Sequence, residues 1–212
     1  MSDAPEAAPP ETLPEKSPAD RAIDALMTLV AGRGWRHVTP VDVATEAGLT
    51  MAQLYALFPT KTAILAGFVR RIDEATFAAR PDDGGADGEG KVRDRLFDLL
   101  MRRFEALKAH RPALKELARA GLRDGTLPLV MGPRFLNAMR WIADAAGVAT
   151  PGLLGALRVK ALAAAYLWTF RVFLDDDSED LARTMAALDR ALARCETLAQ
   201  SLPGGRRRAA SA

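Results

Sequence analysis

The chain has 212 residues, a formal net charge of +2 and 49% apolar side chains, enough for one or two modest domains with a real core. Alanine and leucine outnumber valine, isoleucine and threonine, which favours helix over sheet. One cysteine, Cys195, excludes an internal disulfide and fits a reducing compartment.

The N-terminal stretch "MSDAPEAAPPETLPEK" is acidic and Pro/Ala-rich, unlike a signal peptide. The longest apolar run, Ala161 to Phe170, is too short to span a bilayer. A soluble cytoplasmic protein with no transmembrane segment is expected. Residues 1–16 read as a disordered tail, with many prolines and few large apolar groups.

A helix is predicted from "SPAD", with Ser17 as cap, Pro18 in the first turn and Asp20 near the positive end of the dipole. Ile23, Leu26, Met27 and Val30 give it an apolar stripe, and "GRGW" ends it. The next start is Thr39 to Asp42, "TPVD", opening a short helix that Gly48 stops. Thr50 to Gln53 then form a Thr-x-x-Gln capping box, and Pro59 limits that helix to Phe58. Thr60 opens a longer helix with Ile64, Leu65, Phe68, Val69 and Ile72 inward. The acidic, Gly-rich segment 80–90 reads as a flexible loop and a domain boundary, dividing 17–79 from 91–202. Beyond it the pattern stays helical: about Val92 to Ala109, Pro112 to Gly125, Leu129 to Ala146, Pro151 to Leu174 and Ser178 to Ser201. Residues 203–212 form a basic tail with Arg206, Arg207 and Arg208.

Two short helices joined through Ala47-Gly48-Leu49 make a helix-turn-helix. Ala44 is small where the helices approach, and Gly48 can take the positive φ of the turn. A helix of this width fits the DNA major groove with its N-terminal residues at base edges. The segment Ala19 to Ile72 carries six bases against four acids, which permits a polyanionic partner. The run "AGLTMAQLY" followed by "FPTK", with Gly34, Thr39, Val43-Ala44 and Leu65, resembles the TetR family of bacterial repressors. The resemblance implies an all-α fold of about nine helices: a three-helix helix-turn-helix domain and a larger ligand-binding and dimerisation domain. It implies DNA contacts for Thr50, Met51, Ala52, Gln53, Tyr55 and Lys61, with Thr39 as a supporting phosphate contact. The chain departs from the family at Ala56-Leu57, and the recognition helix holds no lysine or arginine. Gln53 is the side chain best suited to a bidentate base contact, most naturally adenine, so one copy alone should bind weakly.

The segment "GALRVKALAAAYLWTF" is apolar nearly all round and is expected to be central. Phe97, Leu100, Phe104, Trp141, Tyr166, Trp168 and Phe170 are candidate lining for an apolar pocket. On the last helix Leu181, Met185, Leu188, Leu192 and Cys195 form a stripe that, with Leu157, is a candidate dimer interface. "DDDSEDLARTMAALDRAL" and the helices before it also resemble a lipid-binding accessory protein of ubiquinone biosynthesis, itself built on a TetR-like fold. Two readings follow. One is a homodimeric repressor bound to double-stranded operator DNA and released by an apolar small-molecule or lipid ligand. The other is a lipid- or isoprenoid-binding accessory protein with a vestigial DNA module. With His37, His110 and one cysteine apart from any catalytic partner, no enzyme, cofactor or metal is expected. Asp175, Asp176 and Asp177 read as a helix terminus and cap.

Overall fold

The computed structural model of the protein describes residues 16–78, 92–123 and 125–201. The expected loop at 80–90, the basic tail at 203–212 and all but the last residue of the expected N-terminal tail lie outside them. The described residues form nine α-helices, one 3-10 turn and no strand.

Helix α1, Pro18–Arg33, starts where Ser17 Oγ accepts the Asp20 N–H at 3.1 Å, satisfying one of the four donors left over at a helix start. It buries Ala22, Ile23, Leu26 and Val30 and ends at Gly34, whose φ of 79° would strain any other residue. A 3-10 turn, Trp35–His37, leads into α2, Pro40–Ala47. Gly48 closes α2 in the left-handed region, φ 63° and ψ 39°, and the Leu49 N–H donates back to the Ala44 carbonyl at 2.9 Å. Helix α3 is Met51–Leu57 and α4 is Lys61–Ala78. Gly67 lets α4 lie against its neighbours, for a Cβ there would meet a Phe58 ring carbon at 2.9 Å and Ile23 at 3.2 Å. Leu54, buried like Val43 and Ala44, pins α3 onto this small bundle.

Helices α5, Val92–Lys108, α6, Arg111–Arg123, α7, Thr126–Ala145, α8, Gly152–Leu174, and α9, Ala182–Ser201, build the larger part. The two parts meet where α1 packs on α6 and α4 packs on α5. One continuous core runs through both, from Leu26, Ile64 and Phe68 to Phe104, Ile142 and Leu188. Helix α7 begins three residues earlier than expected because Pro128 falls in its first turn, where its missing N–H costs nothing. Pro133 lies inside it and removes the bond its nitrogen would give to Leu129.

Helix α8 has 23 residues and a mean hydropathy of 1.3 over its most apolar window, so by length and composition it could cross a bilayer. The run Ala161–Phe170 understated it. Only 39% of that window is buried, with α8 packed between α7 and α9.

Helix α9 starts at Ala182, four residues later than expected. The intervening turn is built on Asp176, fully buried, whose carboxylate accepts the Thr184 N–H at 2.8 Å and the Thr184 hydroxyl at 2.6 Å. The Ser178 N–H donates to it at 3.2 Å, as does the Ser178 hydroxyl. The same turn holds Leu181 at φ 56°, a cost of about 1–2 kcal/mol that burial of its side chain offsets. Burial pushes the Asp176 carboxyl up, but the hydrogen bonds from Ser178 and Thr184 outweigh it and bring the pKa to about 2. A folded pKa below the unfolded 3.8 stabilises the protein at higher pH, and that stability is lost as pH falls from about 4 to about 2. Asp176→Asn is therefore expected to lose about 2 kcal/mol at pH 7 and little at pH 2, read by urea unfolding. An equal loss at both pH values contradicts this role.

Candidate nucleic-acid interface

Helix α3 is seven residues long, and Leu54 is its one buried side chain. Met51 is 45% exposed and Tyr55 68%, and Thr50, Ala52 and Gln53 also face solvent. The sequence-predicted set from Thr50 to Tyr55 is therefore brought together on one open surface. Ala56 and Leu57 lie on it too, so part of the surface is apolar. A helix this short is held by its ends and by tertiary contact rather than by propensity. Both α2 and α3 begin with a complete reciprocal capping box, Thr39 with Asp42 and Thr50 with Gln53.

At α2, Asp42 Oδ2 accepts the Thr39 N–H at 2.8 Å and the Thr39 hydroxyl at 2.6 Å, and Arg33 reaches Oδ1 at 3.3 Å. The Thr39 bonds, with help from Arg33, hold the half-buried Asp42 carboxyl below its ordinary pKa against the opposing effect of desolvation. The Thr39 hydroxyl, expected at a phosphate, is thus committed to the cap in the free protein.

Lys61 departs most from expectation. Its ammonium donates to the Trp35 carbonyl at 2.7 Å and the Val38 carbonyl at 2.8 Å. It also sits 4.2 Å from the centroid of the Trp35 ring. Burial pushes its pKa down from the ordinary lysine value. Two of its three donors are spent on the chain, leaving one for a phosphate. Its first task is to hold the Trp35–Val38 turn, and with it the start of α2. Sequence spacing could not reveal this, because the partners lie 26 and 23 residues away. The turn so held carries Arg36, an exposed cation beside the α2 N-terminus that no motif in the sequence marks. A Lys61→Met variant is expected to lose about 1–3 kcal/mol of stability through the abandoned carbonyls. Thermal melts check this, and an unchanged melting temperature contradicts the clamp.

The candidate pocket residues divide. Leu100, Phe104 and Tyr166 are buried, and Phe97 and Phe170 pack partly buried against them. Phe104 stacks on Tyr166 at 4.9 Å and 9° and lies 5.2 Å from Phe173, so the rings pack on one another. Trp141 and Trp168 do not belong to this cluster. They are 63% and 40% exposed because Met139 and Ile142, and Tyr166 and Thr169, take the inner faces of α7 and α8. An open groove of about 780 Å³ lies elsewhere, between α1, α4 and the α5–α6 turn, lined by Lys16, Asp24, Met27, Arg71, His110 and Pro112. Its charges are internally matched: Asp24 meets Lys16 at 2.7 Å and Arg71 at 2.8 Å.

The candidate dimer residues divide as well. Leu181, Leu188 and Leu192 are buried within the protomer and are core, not surface. Helical spacing shows which face is apolar, and here the chain's own α5 and α8 cover it. Cys195 is half-buried with its thiol 3.7 Å from the Ala161 carbonyl. Met185 and Leu157 do reach the surface, at 41% and 51% exposure. Leu157 continues through Leu153, Ala164 and Trp168 as a stripe on the outer face of α8, with Arg194 of α9 over the Trp168 ring. Trp168 thus moves from the pocket set to the surface set.

The arrangement of helices is the TetR-like all-α fold. A TetR transcriptional regulator from Nitrosomonas europaea superposes with a TM-score of 0.69 at 20% identity, over 86% of this chain and 99% of that one. A TetR transcriptional regulator from a Rhodococcus species gives 0.60 at 21% identity, over 87% and 97%. A second Rhodococcus TetR-like regulator gives 0.54 at 17%, over 88% and 99%. At these identities the likeness is one of fold. No protein-family model matches the sequence, and neither does any curated protein. None of the structures named above is a lipid-binding accessory protein, the second resemblance of the sequence.

Proposed function

We propose that the protein is a DNA-binding transcriptional regulator, acting as a homodimeric repressor on a pseudo-palindromic operator. The observation that carries this reading is α3: seven residues, doubly capped, with every side chain but Leu54 turned to solvent. A helix whose only packing is one leucine gains little as a core element and is shaped for an outside surface. In the major groove, Thr50 to Gln53 would face base edges, while Tyr55, Arg36 and the third donor of Lys61 would reach phosphates. The outer face of α8, with Leu153, Leu157 and Trp168, and Met185 of α9 would pair with their counterparts across a two-fold axis. Such a dimer sets two α3 helices about 34 Å apart, one DNA turn. An apolar ligand that entered the larger domain by parting the Phe104–Tyr166 ring cluster would act through the α4–α5 and α1–α6 contacts, shifting the spacing of the two α3 helices. Cytoplasmic location follows from that task.

Footprinting on a duplex selected from random sequence tests the reading. Two protected half-sites about one turn apart, with two chains per duplex, are expected. A single protected patch with one chain per duplex contradicts the dimeric arrangement, and no protection contradicts DNA binding.

A further inference from the structure

Gln53 is the polar side chain at the centre of the exposed α3 surface, and its orientation is fixed by chemistry rather than by choice of atom labels. The Thr50 backbone N–H donates to Gln53 Oε1 at 2.8 Å, and the Thr50 hydroxyl donates to the same oxygen at 3.1 Å. In return the Gln53 backbone N–H donates to Thr50 Oγ1 at 3.2 Å. A backbone N–H can only donate, so the amide oxygen must face it and the amide nitrogen must face away. The oxygen has two lone pairs, and both are taken. What Gln53 offers to an outside surface is a pair of N–H donors and no acceptor.

This bears on which base it can read. In the major groove adenine presents one acceptor, N7, and one donor, the N6 amino group, and a glutamine reads it with one donor and its oxygen. Guanine presents two acceptors, N7 and O6, and thymine presents O4 beside its methyl group. Adenine would require Oε1 to leave the capping box and strand the Thr50 N–H at the start of a helix that has little else to hold it. Guanine would require nothing to move, and its two acceptors match the two donors. Met51 and Ala52 are apolar surface suited to a thymine methyl at a neighbouring pair.

We propose that Gln53 reads the guanine edge, whose N7 and O6 both accept, and not adenine, because the capping box keeps its oxygen. This replaces the adenine preference expected from the sequence. It rests on the reading of α3 as the DNA-recognition helix.

The test is sequence selection from a random duplex library with the full-length protein and with Gln53→Glu. Glutamate keeps an oxygen for the Thr50 N–H, so the capping box and the fold survive, as a thermal melt verifies. It has no donor, so the contact to an acceptor edge is lost, and its added charge lowers affinity for every sequence alike without creating a preference at the other positions. The wild type is expected to select a G·C pair, in one fixed orientation, at one position per half-site. The variant is expected to lose that preference by about tenfold or more, or to turn to cytosine, whose N4 amino group donates. Preferences at the other positions persist in both. Selection of an A·T pair, in either orientation, by the wild type at the position that Gln53→Glu disturbs overturns the assignment, as does an identical selected sequence for both proteins. If neither protein enriches any sequence, the DNA-binding reading falls, and this assignment with it.

Discussion

Asp73→Ala should cost the protein about 3–5 kcal/mol, while Arg103→Met at the other end of the same ion pair should cost about 1–2. Arg103 lies on α5 with its side chain 5% exposed, and it pairs with Asp73 of α4, which is 27% exposed. Its guanidinium lies 5.8 Å from the Tyr166 ring centroid, and its Nε has no hydrogen-bond partner within the protein. Removing Asp73 leaves a buried cation facing a neutral phenol, because burial pushes the Tyr166 pKa up. Removing Arg103 instead leaves a carboxylate that water can reach, and methionine refills most of the volume. The asymmetry is the point of the prediction. Urea unfolding of both single variants and the double variant closes the cycle. A larger loss from Arg103→Met than from Asp73→Ala would overturn the account of which partner is desolvated. The pair joins α4 to α5, so Asp73→Ala should also loosen the link between the larger part and the N-terminal bundle.

Phe104→Ala should also cost about 3–5 kcal/mol. Phe104 is fully buried between Tyr166 and Phe173, and Phe135 and Phe170 both pack on Tyr166. Phe104, Tyr166 and Phe170 are among the residues that the sequence marks as lining for an apolar ligand. A solid aromatic cluster makes the truncation expensive, and the hole it leaves should bind a small apolar probe such as toluene, raising the melting temperature of the variant alone. A loss below about 1 kcal/mol, with the wild type stabilised as much as the variant, would mean that the region is already an open pocket.

Much of the fold was legible because this chain signals its helix boundaries in local chemistry. Ser17-Pro18, Thr39-Pro40, Gly48 and the Thr50/Gln53 pair each act within three or four residues, and each has the structural role that its residue type implies. The sequence starts α9 at Ser178, but the buried carboxylate of Asp176 reaches eight residues forward to Thr184 and keeps the residues between them out of the helix until Ala182. The surfaces were harder. Spacing places Leu188 and Leu192 on an apolar face of α9, but only the packing of α5 and α8 makes that face core. Trp141 and Trp168 read as interior because they are large and apolar, yet their neighbours one and two positions away hold the inner faces. Lys61 was placed at a phosphate by resemblance, and its contacts to Trp35 and Val38 depend on a turn that no local pattern announces.

The central claim is that the small N-terminal bundle grips a nucleic-acid backbone, and the salt dependence of binding tests it most directly. Fluorescence anisotropy on a duplex carrying the selected sequence gives the affinity between about 50 and 200 mM salt. If each of two protomers brings Arg36 and the remaining donor of Lys61 to phosphates, log K should fall linearly with log[salt] at a slope of about −3 to −4. Arg36→Ala should flatten it by about 2 for the dimer. A slope near zero, unchanged by Arg36→Ala, would contradict the account.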